Sequence, residues 1–441
     1  MPSLQEWGII ALSDLGGFLS NTPSFRRLLR PAARRRPATL ALLLFCATVQ
    51  AGTTQDLASI ARRLLGAGQG VYVETSDGTV LLAQAAAKAV HPASVSKIPT
   101  TLALLRRLGP NYRFVTTIVA TGPLLDGAVQ GDLLFEGGGD PYFVDENALL
   151  IGARLRALGV LRVAGTLRLT GTLMFDWQDE ATGARLRAVL AGAAPTAAWL
   201  EVRSAWPDLA GAETEHAPAL RFDDRHFASA TAQPLLIHRS QPLLPLVKAL
   251  NDYSNNIFKP LADAAGGAAA VQEIARAAVP DAMHAEIILG DGAGTDARNR
   301  LSPRSVVKLM RALEQELRLS GHTLVDILPV AGVDEGTLRM RLNAAADSGR
   351  VVGKTGTFGD YGASALTGAI RTRDLGTVYF AILNHGVPVA TARRRQDAFV
   401  HALLAKLHSL TWAYVRDDRP AVARAEVVRI DATGSAMQSN H

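Results

Sequence analysis

Two β-prone runs, Val71-Tyr72-Val73-Glu74 and Val80-Leu81-Leu82, flank the polar turn Ser76-Asp77-Gly78, and an apolar run over 98–108 follows them closely. An Asp-Gly pair between two such runs predicts a β-hairpin, and the apolar run predicts a helix at the edge of that sheet. A strand pair feeding directly into a helix restricts this part of the chain to a mixed α/β (α+β) domain. The helix is headed by His91-Pro92-Ala93-Ser94-Val95-Ser96-Lys97. Ser94 and Lys97, three residues apart, fall on one helical face, where their side chains can touch. Serine is a poor nucleophile until a neighbour takes its proton, and lysine can do so only as a neutral amine. Burial and the positive end of a helix both disfavour the ammonium form. Ser94 is therefore a candidate nucleophile and Lys97 its candidate base. The same spacing recurs at Ser305-Val306-Val307-Lys308, where an ordinary helix surface is a sufficient explanation. Taken alone, the motif does not choose between its two copies.

The 441 residues can bury a large core and suffice for two or three domains. A net charge of +6 raises the question of nucleic acid, but the arginines are scattered through acidic and apolar sequence, so the charge reads as solvated surface and no nucleic-acid partner is expected. The exception is the N-terminus. Arg26, Arg27, Arg30, Arg34, Arg35 and Arg36 precede an apolar stretch over 39–49 that ends in Val49-Gln50-Ala51. A basic region, a short apolar core and small residues at the −3 and −1 positions predict a secretory signal cleaved after Ala51. The apolar core is too short for a permanent span, so no stable membrane anchor is expected after cleavage. Cys46 would suit a lipoprotein, except that Phe45 is bulky where such signals want a small residue. As the only cysteine lies in the segment to be removed, the mature chain is expected to have neither disulfide nor thiol chemistry. An exported, periplasmic protein stabilised by its core alone fits these features.

Along the chain, 56–65 reads as an amphipathic helix. From Tyr112 the texture changes to short β-prone runs with Gly turns at 114–120, 131–135 and 162–169, with a helical stretch over 146–158; 179–234 has weak periodicity. Helical patterns return at 243–250, 256–265 and 303–317, and the loop Asp252-Tyr253-Ser254-Asn255-Asn256 can aim short polar side chains into a cleft. Three β-prone runs, 351–358, 362–371 and 376–384, precede a closing helix over 390–407. The organisation expected is 1–51 as signal peptide and upstream extension, 52–111 and 235–416 as one domain, 112–234 as a smaller β-rich insertion, and 417–441 as a loose tail.

The first of those last three runs contains Gly353-Lys354-Thr355-Gly356-Thr357. A phosphate-binding loop would need a glycine five positions before Gly353, where Ser348 stands, and a helix after it rather than a strand. Three short motifs thus stand in one order: Ser94-x-x-Lys97, Ser254-x-Asn256 and Lys354-Thr355-Gly356. That order resembles the penicillin-binding proteins and serine β-lactamases. Longer matches narrow the likeness: Pro92-Ala93-Ser94, Gly138-Gly139-Asp140-Pro141, Asp291-Gly292-Ala293-Gly294, Asn299-Arg300-Leu301-Ser302-Pro303, Pro329-Val330-Ala331-Gly332-Val333-Asp334 and Gly353 to Thr357. From about 71 to about 407 the chain resembles the low-molecular-mass class C penicillin-binding proteins, the D-alanyl-D-alanine carboxypeptidases and endopeptidases typified by DacB. Two positions depart from that family's pattern: Ala293 replaces the serine of Asp-Gly-Ser-Gly, and Glu335 is inserted into Ala-Gly-x-Asp-Gly-Thr-Leu. Tyr253-Ser254-Asn255 also fits the Tyr-x-Asn register of class C β-lactamases.

The resemblance implies a penicillin-binding-protein/β-lactamase-like transpeptidase domain with a smaller, β-rich inserted domain. It implies peptidoglycan stem peptides and cross-links as substrate, and β-lactam antibiotics as ligands. It also implies catalytic roles for Ser94, Lys97, Ser254 and Asn256, and substrate binding by Lys354, Thr355, Gly356 and Thr357. Ser254 would relay a proton to the leaving amine while Asn256 holds Lys97 and the substrate amide. No cofactor is implied, and the ten histidines show no metallopeptidase spacing, so no metal is expected. A β-lactamase and a wall-binding protein without turnover are the alternatives.

Overall fold

In the computed structural model the hairpin that precedes Ser94 closes a sheet whose other strands come from the far end of the chain. The structure describes residues 55–209, 217, 219–227, 232–253, 257–359 and 362–430. The order is Val351–Phe358, Ala363–Thr372, Thr377–His385, Gly70–Thr75, Val80–Gln84, with every neighbour antiparallel; Ser409–Leu410 adds a short pairing to Ala363–Thr372. Alternate residues of Thr377–His385 enter different cores, as a strand's period of two requires. Val378, Phe380 and Ile382 pack with Leu57, Ala61 and Leu65 of the helix over 55–65, and with Phe399, Val400 and Leu403 of helix Val389–Lys406. Tyr379, Ala381 and Leu383 face the opposite way. They join Ile98, Leu102, Leu309 and Leu313 from helices Lys97–Leu108 and Pro303–Leu319. The body is therefore a helix–sheet–helix sandwich, and the sheet is buried on both faces.

A second sheet has the order Glu426–Arg429, Gln233–Arg239, Val115–Ala120, Leu133–Gly138, Leu167–Thr172, and is covered by helices Asp145–Ala157 and Thr196–Ala205 around Phe135, Phe143, Phe175 and Trp199. The chain leaves for this sheet and returns from it side by side. The Ser240 amide donates to the Phe114 carbonyl and the Phe114 amide to Ser240 Oγ, both at 2.9 Å, and the Leu243 amide donates to the Tyr112 carbonyl at 2.8 Å.

Several expectations need correction. The run at 162–169 is two strands in two sheets: Arg162–Val163 pairs parallel with Ala128–Val129, and Leu167–Thr172 pairs parallel with Leu133–Gly138. Between them Gly165 passes so near Gly131 and Asp132 that a Cβ would meet the Gly131 carbonyl oxygen at 2.7 Å. The weakly periodic stretch after 179 holds the helices Ala184–Leu190 and Thr196–Ala205. The expected boundary at 234/235 falls inside strand Gln233–Arg239, which belongs wholly to the smaller sheet. Residues from 417 to 430 are not a loose tail, because Glu426–Arg429 pairs antiparallel with Gln233–Arg239. That strand takes its order from a partner far away in sequence, so local periodicity carried no sign of it. The export signal over 1–51, Ser254, Asn256 and the Asn255 of the alternative register lie outside the described residues.

Candidate active site

Ser94 stands in a single 3-10 turn, Ala93–Ser96, that runs straight into helix Lys97–Leu108. The helix is buried continuously from Lys97 to Leu105, so it is a central element and not an amphipathic surface helix. Lys97 Nζ lies 3.2 Å from Ser94 Oγ, and Ser94 is half-buried where Lys97 is fully enclosed. Burial drives the lysine pKa down from 10.5 to about 6; the nearby Lys354 ammonium adds to the effect, and Asp291 opposes it. A displacement of that size weighs roughly 6 kcal/mol against the charged form. The buried side chains of Ile98, Leu102, Leu104 and Leu105 each contribute about 1.5–3 kcal/mol, which is enough to hold the lysine where it is. The Phe258 ring, its centroid 5.1 Å from Nζ, forms one wall of the pocket.

Close backbone packing fixes the turn from both sides. Ala93 adopts φ +50°, a strained conformation for a residue with a Cβ. Strand Val351–Phe358 passes so closely that a Cβ on Gly356 would meet Pro92 O at 2.6 Å and Ser94 N at 3.1 Å. On the other side a Cβ on Gly294 would collide with the Ala93 carbonyl, and Gly294 itself has φ +89°. The loop carrying Gly294 is tied by Asp291, whose carboxylate accepts from the amides of Gly294, Thr295 and Asp296 and from Asn299 Nδ2 at 2.8–3.0 Å. Thr100 Oγ1 donates to the Gly292 carbonyl at 2.9 Å and ties the loop to helix Lys97–Leu108. Ala293 is buried in this loop, so the missing serine hydroxyl leaves the loop's closure to Asp291. His91 sets the entry to the turn: its Nδ1 accepts from the Ala93 amide at 3.1 Å, its Nε2 donates to the Asp296 carbonyl at 3.0 Å, and its ring stacks on Phe358. Burial lowers its pKa, consistent with the neutral ring these two bonds require.

Lys354 is fully buried, and burial lowers its pKa to about 8 although Asp252 pulls the other way. Thr355 Oγ1 donates to Thr337 Oγ1 at 2.8 Å, and the Thr337 amide donates to the Asp252 carbonyl at 2.9 Å. Gly336 lies against the same carbonyl, where a Cβ would collide. Gly336 and Thr337 therefore couple the Lys354 strand to the end of helix Leu243–Asp252, which leads into the Ser254-x-Asn256 segment. On the far side of that segment, Ile257 and Phe258 are buried, with the Phe258 ring beside Lys97. Glu335, the inserted residue, is turned outward to pair with Arg416 at 2.7 Å, while Asp334 keeps a buried pair with Lys248 at 2.7 Å. Asp252 has its carboxyl pushed up to about 7, chiefly by burial. Sequence reading missed Asp252, Thr337 and the role of His91. Each lies within a few residues of a quoted motif, which was the available signal.

The structure thus places Ser94, Lys97, Lys354 and Gly356 near one another, with Thr355 and Thr357 on the other side of the same strand, against Thr337 and Arg393. The second copy of the motif is structural. Ser302 caps helix Pro303–Leu319, its Oγ accepting from the Ser305 amide at 3.1 Å while the Ser302 amide donates to Ser305 Oγ at 3.1 Å. Lys308 Nζ binds both oxygens of the buried Glu74 carboxylate at 2.6 and 2.7 Å. Among the described residues no group of three or more His, Cys, Asp or Glu side chains is placed to hold a metal ion.

A sequence profile of the D-Ala-D-Ala carboxypeptidase 3 (S13) family matches residues 53–188 and 224–406. Among solved structures, the predatory endopeptidase Bd0816 from Bdellovibrio bacteriovorus is 22% identical with a TM-score of 0.66, over 80% of this chain and 97% of that one. The penicillin G-acylated predatory endopeptidase Bd3459 from the same organism is 20% identical, also at 0.66, over 79% and 96%. Penicillin-binding protein 4 (dacB) from Haemophilus influenzae is 18% identical with a TM-score of 0.58, over 81% and 99%. These likenesses show a common transpeptidase-like fold.

Proposed function

The chain belongs to the D-Ala-D-Ala carboxypeptidase 3 (S13) family, and from that premise we propose that Ser94 is the residue acylated when this serine-type D-Ala-D-Ala carboxypeptidase cleaves its substrate. The family acts on peptidoglycan, so the enzyme works outside the cytoplasm; export by the signal over 1–51 into the periplasm is the finer reading. Apart from strand Glu426–Arg429, the smaller sheet forms an accessory domain inserted between the first two motifs. The observation that carries the assignment is the buried Lys97 amine at 3.2 Å from Ser94 Oγ, with a pKa near 6.

At neutral pH Lys97 is mostly the free amine, and it takes the Ser94 proton as Oγ attacks the carbonyl carbon of the penultimate D-Ala. The oxyanion is met by the backbone N–H groups of Ser94 and Thr357, at about 3 kcal/mol per donor. Gly356 lets the strand pass the Ser94 amide so closely that a Cβ there would meet it at 3.1 Å. The C–N bond then breaks, and the departing D-Ala amine takes the proton back through Lys97 and Ser254. Asn256 holds Lys97 and the substrate amide, and Lys354 and Thr355 bind the terminal carboxylate by charge and hydroxyl. Water hydrolyses the Ser94 ester and restores the enzyme. A cross-bridge with an equivalent D-centred bond is cleaved the same way, as endopeptidase action. A β-lactam acylates Ser94 in place of the peptide.

Release of D-alanine from a pentapeptide, and of monomers from cross-linked dimers, tests this reading. Wild type is expected to act on at least the pentapeptide, and Ser94→Ala on neither; undiminished release by Ser94→Ala would refute it.

A further inference from the structure

Strand Val351–Phe358 ends its sheet, and its side chains divide between two sides. Val351 packs into the core under helix Val389–Lys406, and Val352 into the core that holds the nucleophile helix. By the period of two, Lys354 and Gly356 lie on the side of Val352, toward Lys97 and the Ser94 turn, while Thr355 and Thr357 lie on the other side. The hydroxyl row offered to a carboxylate is thus separated from the Lys354 amine. That amine is fully buried, points its Nζ to the Thr355 carbonyl at 3.3 Å, and has a pKa lowered to about 8. Lys354 therefore acts on a carboxylate at the row of Thr355 and Thr357 only as a charge across the strand, and a direct ion pair needs a second positive group on the row's own side.

Arg393 is placed to supply it. It lies in the second turn of helix Val389–Lys406, exposed, with Nη2 donating to Thr357 Oγ1 at 2.8 Å. The helix cannot slide away, because Ala392 and Gln396 are fully buried and Gln396 Nε2 binds Ser364 Oγ at 3.2 Å and Asn384 Oδ1 at 2.8 Å. Ser364 is the register partner of Thr357, so the helix is pinned to the very point of the sheet where the guanidinium reaches over. A guanidinium keeps its charge throughout the working pH range and offers a fork that matches a carboxylate.

We propose that Arg393 determines specificity for a free C-terminal carboxylate, holding the terminal D-Ala carboxylate of the stem peptide against the Thr355 and Thr357 hydroxyls. A cross-bridge whose D-centre keeps its α-carboxylate free presents the same group beside the scissile nitrogen, so Arg393 serves carboxypeptidase and endopeptidase action alike and discriminates against any substrate in which that carboxylate is blocked. This rests on the reading of Ser94 and the Lys354 strand given above.

The test compares one stem peptide ending in D-Ala-D-Ala with its C-terminal amide, the amide being followed by turnover or as an inhibition constant. Arg393→Ala is expected to raise KM for the acid about tenfold with kcat within about twofold, and to leave the amide unchanged. Arg393→Lys retains the charge and most of the preference. Arg394→Ala, the adjacent exposed arginine whose guanidinium binds Thr391 Oγ1, leaves both substrates unchanged. An unaltered acid-to-amide preference in Arg393→Ala overturns the proposal, as does an equal loss on both substrates accompanied by a lowered melting temperature. Failure of the underlying reading is distinct: Ser94→Ala would then still release D-alanine, whatever Arg393 does.

Discussion

The chain contains the same four-residue spacing twice, and the two copies are put to opposite uses. At Ser94 and Lys97 the lysine is enclosed, its pKa falls to about 6, and its amine meets the serine hydroxyl. At Ser305 and Lys308 the serine is spent on a helix cap, and the lysine, with Arg311, neutralises Glu74, which is completely buried. Spacing therefore brings a serine and a lysine to one face, but the surroundings decide between a base and a counter-ion. The contrast also separates activity from stability: the first lysine costs the fold free energy, and the second supports it.

Replacing each lysine by methionine separates the two most sharply. Lys97→Met is expected to lower acylation by penicillin by at least about 10³-fold. The same change raises the melting temperature at pH 7, because the buried amine is removed. The sign follows from linkage: the unfolded chain holds the Lys97 proton up to pH 10.5 and the folded chain only up to about 6. Between those values the wild type gains stability as pH rises, and the variant lacks that slope. Lys308→Met is expected to acylate normally but to lose about 3 kcal/mol, since Glu74 keeps only Arg311 and the Tyr72 hydroxyl. Chemical denaturation and a fluorescent penicillin read both outcomes. Equal acylation by the two variants would erase the distinction.

Gly356→Ala probes the packing that only the Ser94 copy has. A methyl 2.6 Å from Pro92 O must displace the strand or the turn, and about 100-fold in acylation rate is expected to be lost. In the wild type, the acylation rate should fall about tenfold per pH unit below 6 and be level above it, because the base must be neutral. A rate still climbing at pH 9 would mean that Lys97 titrates as an ordinary lysine. The smallest effect belongs to the other copy. Ser302→Ala removes the cap of helix Pro303–Leu319 and costs about 1 kcal/mol with unchanged acylation.

The body of the fold was legible because its elements are long and their signals local. The Asp-Gly hairpin, the apolar helix after Lys97, the Ser302-Pro303 helix start and the three strands between Val351 and His385 all lie close to where the sequence puts them. The smaller sheet was harder. Its strands are short, it divides Arg162–Val163 from Leu167–Thr172 by a three-residue bend, and it draws Glu426–Arg429 from the end of the chain. Pairings between distant segments leave no periodicity in either one. At the site, Ser94, Lys97, Lys354 and Thr355 could be singled out from the sequence because the proposed chemistry rests on their own side chains at fixed spacing. The residues that hold them were not. Thr337 acts through the Asp252 carbonyl, His91 through the Ala93 amide, and Arg393 through a helix from elsewhere in the chain, and only the folded backbone creates those contacts.

Ser94, and not Ser305, is the proposed site of acylation. The most direct measurement is intact-mass and peptide-mapping spectrometry of the full chain after incubation with benzylpenicillin, for wild type, Ser94→Ala and Ser305→Ala. One penicilloyl adduct is expected on the Ser94 peptide in wild type and in Ser305→Ala, and none in a folded Ser94→Ala. An adduct on the Ser305 peptide, or undiminished labelling of Ser94→Ala, would contradict it.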